Sequence, residues 1–181
     1  MLKGRTISLH RLEETEIPLV HRWRNNLDII GFYAPLIQCD LSENMKNFGE
    51  STPNSIFFII TMNDKTPIGF ASINSCGFPG SEFWEIGYMI IPEERGNGYA
   101  SEAVLILSDF IFLSKVSPRI QAHVDVENIA SKKLLEKVGY KCEGILRKNI
   151  FMYGEWRDSA LYSLLREEWD HPRILPRRVN S

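Results

Sequence analysis

Between a long apolar run and a helical pattern, the chain reads Pro92-Glu93-Glu94-Arg95-Gly96-Asn97-Gly98-Tyr99-Ala100. These residue types, in this order, suit the holding of an anion. A helix N-terminus presents unpaired N–H groups and a partial positive charge. Gly96 and Gly98 let the backbone approach an anion with no Cβ in the way, and Arg95 adds a cation with planar donors. The chemistry that follows is a cradle for a pyrophosphate; the alternative is an ordinary strand-to-helix turn. Two better-known glycine signatures do not fit: GxGxxG meets Ser101 at its third glycine, and no GK[ST] follows as a P-loop requires.

Such a turn must be delivered to one end of a sheet. Residues 83–91 (FWEIGYMII) read as a strand stopped by Pro92, and residues 99–114 place Ala100, Ala103, Val104, Leu107, Phe110 and Ile111 on one helical face. Upstream, residues 55–62 and 66–74 read as strands joined by an Asn63-Asp64 turn, so an antiparallel meander leads into the glycine turn. Residues 6–12 alternate as a first strand. Residues 14–25 carry Ile17, Val20 and Trp23 at helical spacing, with Pro18 tolerable only in the first turn. A short helix capped by Ser42 is expected within the less regular stretch 27–52. After the glycine turn come a strand at 119–124 and a helix at 128–138. That helix turns Ala130, Leu134, Leu135 and Val138 inward and is closed by Gly139. Strands 140–153 and 156–165 then flank a Gly154-Glu155 turn. Residues 171–181 (HPRILPRRVNS) are Pro-broken and basic, and read as a mobile tail.

At 181 residues, 44% hydrophobic and 24% charged, the chain suits one globular domain over 1–170 and excludes collagenous, coiled-coil or wholly disordered classes. Its 21 Lys+Arg against 23 Asp+Glu leave a net charge of −2, so no general field favours a polyanion and direct nucleic-acid binding is not expected. Cys39, Cys76 and Cys142 are odd in number and form no CxxC, while His10, His21, His123 and His171 form no HExxH. No metal site and a reducing compartment follow as expectations. His123 and Cys142 read as strand residues with no role. No apolar stretch approaches the ~18 residues of a membrane span, so a cytoplasmic protein without membrane contact is expected.

In its ordered series of motifs the chain resembles the GCN5-related N-acetyltransferases (GNATs), and most of all their RimJ/RimL, ribosomal-protein type. The resemblance rests on Glu85-Ile86-Gly87-Tyr88, the Arg95–Ala100 signature, Asn128-Ile129-Ala130-Ser131, and Leu135-Glu136-Lys137-Val138-Gly139-Tyr140. Glu143-Gly144, Asp158, Tyr162 and Glu168-Trp169 extend it, so that it spans about 6–170. It implies an α/β (α+β) fold: a mixed, mostly antiparallel sheet, splayed between its two central strands and flanked by helices. It also implies acetyl-CoA as cosubstrate, with no metal.

The resemblance assigns roles residue by residue. Arg95, Gly96, Asn97, Gly98, Tyr99 and Ala100 would take the pyrophosphate, and the main chain of Tyr88, Met89, Ile90 and Ile91 the pantetheine arm. A backbone N–H near Met89 or Ile90 would meet the thioester oxygen. Glu85 is the candidate base for the attacking amine; the alternative is a solvent-facing strand residue. The tyrosine that often protonates the departing thiolate falls here on Leu135, which has no proton to give. Ser131, matching a serine proposed for RimL-type proteins, takes its place, unless it serves only helix-start chemistry. Asn128 would cap the helix and bond the pantetheine amide. Trp23, Arg24, Asn25, Trp84 and Tyr153 would shape the acceptor pocket, where aromatics can equally be core. The implied activity is acetyl transfer to a primary amine by direct attack in a ternary complex. A protein N-terminal amine is the first acceptor, with a polyamine, amino sugar or drug as alternatives and a non-catalytic acyl-CoA-binding module as the rival. A homodimer is compatible with the family.

Overall fold

Alternating apolar residues build a sheet that is buried on both faces. In β3 (Ser55–Met62), Ile56, Phe58 and Ile60 enter one core, while Phe57 and Ile59 enter another on the opposite side. The protein is described here from a computed structural model covering residues 1–31, 33–35, 38–49 and 52–176. The remaining strands are β1 (Leu2–Lys3), β2 (Ile7–Arg11), β4 (Pro67–Cys76), β5 (Phe83–Ile90), β6 (Arg119–Asp125), β7 (Lys141–Met152) and β8 (Glu155–Leu165). They form one eight-stranded sheet in the order β1-β2-β3-β4-β5-β6-β8-β7. Every pairing is antiparallel except β5 with β6. The expected mixed, mostly antiparallel α/β sheet is thus observed.

Helices cover both faces. α4 (Tyr99–Ser114) follows β5 through the glycine turn, as expected, and lays Ala103, Val104, Ile106, Leu107 and Ile111 fully buried on the larger core. α5 (Ile129–Lys137) adds Leu135 to that side. The opposite face is covered by α1 (Ile17–Arg24), the short α2 (Leu27–Ile30) and α3 (Leu41–Gly49), with Ile17, Val20, Trp23, Phe48 and Ile59 as a second cluster. Among the described residues no helix is long and apolar enough to cross a membrane.

Several local expectations shift. α3 is capped by Asp40, not Ser42. The Asp40 carboxylate accepts from Glu43 N at 2.9 Å and Glu43 Oε2 accepts from Asp40 N at 2.9 Å, a reciprocal capping box. The β7–β8 turn is Tyr153-Gly154, one residue earlier than expected. Both have positive φ (52° and 83°), as a two-residue turn matched to strand twist requires. Ala130 is exposed rather than inward. The start of the supposed tail is docked: buried Asp109 accepts from the N–H groups of Arg173, Ile174 and Leu175 and from Trp169 Nε1 at 2.9 Å. Ile174 and Leu175 pack against the core, because a carboxylate buried in α4 needs donors that only this segment supplies. Residues 177–181 lie outside the described residues.

Candidate active site

β5 and β6 pair only at Trp84 with Ile120 and Glu85 with Gln121; beyond them the strands part. The open edge so created is the main chain of β5 from residue 86 onward. Ile91 donates its N–H to Ile68 O at 2.9 Å, so by alternation the main-chain groups of Met89 also face β4. Tyr88 and Ile90 turn theirs into the gap. Of the four residues expected to hold an extended arm, Tyr88 and Ile90 are therefore those whose N–H groups face the gap. Met89 contributes its side chain to the other face instead, against the second core.

The gap opens onto the glycine turn. Gly96 and Gly98 both have φ of 84°, and nothing lies within 4 Å of where a Cβ would stand on either. The glycines are therefore required by backbone conformation, and the space before them is free. Gly98 caps α4, and its carbonyl accepts the first intrahelical bond from Glu102 N at 3.1 Å. The N–H groups of Tyr99, Ala100 and Ser101 precede that bond and have no helical partner. The side chains of Tyr99 and Ala100 pack on the core, and Asn97 Nδ2 donates to Glu94 O at 3.4 Å. This turn suits a pyrophosphate. Arg95, however, does not offer its whole guanidinium to an anion: Nε donates to Ile90 O at 2.9 Å and an Nη to Ile29 O at 2.5 Å. It straps the end of β5 to α2.

At the point where the strands part sits Glu85. Its Oε2 accepts from Gln121 Nε2 at 2.9 Å and lies 3.4 Å from His123 Nε2, and Gln121 Oε1 in turn accepts from Arg119 at 3.0 Å. The Glu85 side chain keeps 32% exposure, which leaves it open to an incoming group. The parallel pairing brings these residues together, and alternation puts Gln121 and His123 on Glu85's face.

On the α5 side of the sheet, Tyr88 Oη and Ser131 Oγ are 2.6 Å apart. Burial raises the Tyr88 pKa, and the bond to Ser131 offsets part of that rise. Asn128 caps α5 through Ser131 N at 3.0 Å, as expected. An ion pair below α5 fixes where the helix begins: Arg157 meets Asp125 at 3.1 Å and also contacts Glu127. Leu135 is fully buried in the main core.

The α1/α3 face of the same strands carries a cavity of about 470 Å³. Arg24, Phe48, Phe57, Phe70, Ser72, Gly87 and Met89 are among its walls. Only Arg24 of the five expected acceptor residues lines it. Trp23 is 7% exposed and belongs to the second core. Trp84 neighbours Glu85 in sequence, so strand alternation turns it to the opposite face, where Lys115 lies over its ring at 4.8 Å. Asn25 ties down the chain at Cys39, donating to its carbonyl at 2.7 Å. Tyr153 donates to Gly31 O at 3.1 Å, joining the hairpin turn to the segment after α2.

Sequence reading assigns no role to the Tyr88 hydroxyl, Gln121 or His123, which the fold brings beside Ser131 and Glu85. A signal for Tyr88 existed in its even spacing from Trp84 and Ile86, which places all three on the α4 and α5 face. For Gln121 and His123 the signal is the strand register, which no local pattern reveals.

The acetyltransferase (GNAT) domain family matches residues 6–141. Among curated proteins, the probable N-acetyltransferase YjcK of Bacillus subtilis is 33% identical over 177 residues, covering 91% of this chain and 97% of that protein. The uncharacterized N-acetyltransferase YnaD of the same organism is 36% identical over 91 residues, covering 50% of this chain and 54% of YnaD. Among solved structures, Vibrio cholerae spermidine N-acetyltransferase in complex with CoA and spermine superposes with a TM-score of 0.78 at 22% identity, covering 91% of this chain and 98% of that one. RimL, a ribosomal L7/L12 alpha-N-protein acetyltransferase in complex with coenzyme A, gives 0.81 at 16% identity, covering 92% and 98%. A sheet opened between its central strands, a glycine turn at the head of α4 and a matched sequence over most of the length coincide in one molecule. The chain belongs to the acetyltransferase (GNAT) family of N-acetyltransferases.

Proposed function

We propose that the protein transfers an acetyl group from acetyl-CoA to a primary amine by direct attack within a ternary complex. The observation that carries this reading is the parting of β5 and β6 immediately after Glu85, with the open β5 edge on one side and the α4 N-terminus beyond it. The turn at Gly96 and Gly98 would receive the pyrophosphate, and the main chain of Tyr88 and Ile90 the pantetheine arm. The named relatives and the CoA-bound neighbours support that cosubstrate.

Chemistry follows from the side chains flanking the gap. As the amine nitrogen bonds to the acetyl carbon, Glu85 accepts the proton it sheds, held in place by Gln121. The Ile90 N–H meets the charge that grows on the acetyl oxygen. As the C–S bond breaks, the sulfur takes a proton from the Tyr88–Ser131 pair, which supplies the hydroxyl that Leu135 lacks. The amine enters from the cavity lined by Arg24. A protein N-terminal amine titrates near ~8 against ~10 for a lysine or polyamine, so it asks less of Glu85 as a base. RimL as a structural neighbour supports the N-terminal reading, and the spermine-bound neighbour keeps a polyamine as the second. Acceptor-dependent release of CoA from acetyl-CoA tests the proposal. Turnover with peptide amines is expected; silence across peptides, polyamines and amino sugars would leave only a CoA-binding module.

A further inference from the structure

The acceptor-side cavity has an unusual charge state. Its described walls are dominated by Phe48, Phe57, Phe70 and Met89, with Ser72, Asn47 and Tyr88 as neutral polar residues. The single charge among those walls is Arg24. That side chain is half-buried, its guanidinium lies 5.1 Å over the Phe48 ring, and no described carboxylate pairs with it. Burial lowers its pKa, the mark of a cation held away from water, and among the described residues Cys39 opposes that effect. A cation in an apolar setting without a counter-ion is costly to the free protein, and an anion from the ligand relieves that cost. The planar fork of arginine suits a carboxylate or phosphate in two-point contact. The same charge repels a second ammonium group brought into the cavity, at short range and through little water.

We propose that the acceptor is a primary amine attached to an apolar body and to an anionic group, and that Arg24 pairs with that anion. The proposal rests on reading this cavity as the amine site, and it names the substrate class. Two sources share this chemistry: a free amino acid or relative with its own carboxylate, and a peptide N-terminus with an acidic side chain close behind the amine. Arg24 acts on binding and orientation. Glu85, on the same face of β5 as Gly87, receives the amine end.

The test compares acceptors that differ only in charge. Phenylalanine is set against phenylalaninamide for the first source, C-terminally amidated Ala-Asp-Phe against amidated Ala-Asn-Phe for the second, and spermidine serves as the polycation. Neutralising the anion should raise KM and lower kcat/KM by about 10- to 100-fold, the scale of a charge-assisted hydrogen bond, in whichever pair is the true source. In Arg24→Gln that penalty should shrink to less than about threefold, while Arg24→Lys, which keeps the charge, should retain part of it. Thermal melts confirm that both variants are folded. Spermidine or a neutral amine as the best acceptor, or an equal charge penalty in wild type and Arg24→Gln, would overturn the inference while leaving the acetyltransferase reading intact. Should no amine release CoA, that reading fails. Calorimetric titration of the CoA-loaded protein with the same compounds then decides: Arg24-dependent binding of the anionic members upholds the pocket assignment, and its absence overturns it.

Discussion

Tyr88 on β5 and Ser131 in the first turn of α5 place their hydroxyl oxygens 2.6 Å apart, across 43 residues of sequence and on the edge of the gap between the central strands. Neither residue can be paired with the other by spacing alone. In the proposed mechanism this pair would supply the proton that Leu135, a fully buried core residue, cannot give.

Removal of one hydroxyl should therefore be partly covered by the other. Tyr88→Phe and Ser131→Ala are each expected to lower kcat by about tenfold, and the double variant by about 100-fold or more, within the usual reach of general acid catalysis. Rates of CoA release at saturating acetyl-CoA measure this. A double variant no slower than either single one would show that the pair moves its proton as one unit.

Glu85→Gln keeps the size of the side chain and removes the proposed base. A fall in kcat/KM of about 10²- to 10⁴-fold is expected, with CoA affinity unchanged because Glu85 faces the acceptor side. Gln121→Ala, which deletes the 2.9 Å bond to Glu85, should produce a smaller loss in the same direction. Wild-type activity in Glu85→Gln would remove this carboxylate from the mechanism.

At Gly98, φ of 84° excludes an ordinary side chain on conformational grounds even though the space is open. Gly98→Ala should cost about 1–2 kcal/mol through that strain, read as a lower Tm and weaker CoA binding. Gly98→Asp adds a negative charge beside the pyrophosphate turn. Its CoA affinity should drop further than that of the alanine variant while its Tm drops by a similar amount.

Alkaline conditions should expose the buried tyrosines. Burial raises the pKa of Tyr140, hydrogen-bonded to Ser108 at 2.9 Å, and of Tyr88. Both stay neutral in the folded state at pH values where the unfolded chain ionises. Stability from these sites is therefore fully present below about pH 10, the ordinary tyrosine value, and is lost as pH rises through the elevated folded values. Urea unfolding between pH 8 and pH 11 should show a flat midpoint that falls only above about pH 10, and Tyr140→Phe should blunt the fall.

Asp109 tests the docking of the C-terminal segment. Asp109→Ala leaves the N–H groups of Arg173, Ile174 and Leu175 without their acceptor. A loss of at least about 2 kcal/mol in unfolding free energy is expected, together with faster proteolysis after residue 170. Unchanged cleavage there would mean that packing of Ile174 and Leu175 suffices to hold the segment.

Much of the architecture was legible because it is written in local terms. Alternation gave β3, β4 and β5, and helical spacing gave α4 with the glycine turn at its head, since two positive-φ positions so close together favour glycine. Errors arose where local rules compete. Ser42 and Asp40 are both good caps, and only the reciprocal bond with Glu43 separates them. Trp84 and Glu85 are adjacent on a strand and must face opposite sides, so alternation already separates Trp84 from an acceptor pocket on the Glu85 face. Arg95 reads as an anion ligand by type, yet the carbonyls of Ile90 and Ile29 claim it in the fold.

The sequence by itself determined most of the elements and the anion-suited turn, from residue identity and short spacing, and through its family resemblance it pointed to Glu85 as candidate base and to Leu135 where a tyrosine is usual. Only the tertiary structure decided which of these groups converge. The parallel register of β5 and β6 sets Gln121 and His123 beside Glu85, the packing of α5 brings Ser131 to Tyr88, and the α1 face leaves Arg24 without a described carboxylate in an apolar cavity. Each is a contact between segments distant in the chain, fixed by how whole elements bury their apolar faces, and no local propensity encodes it.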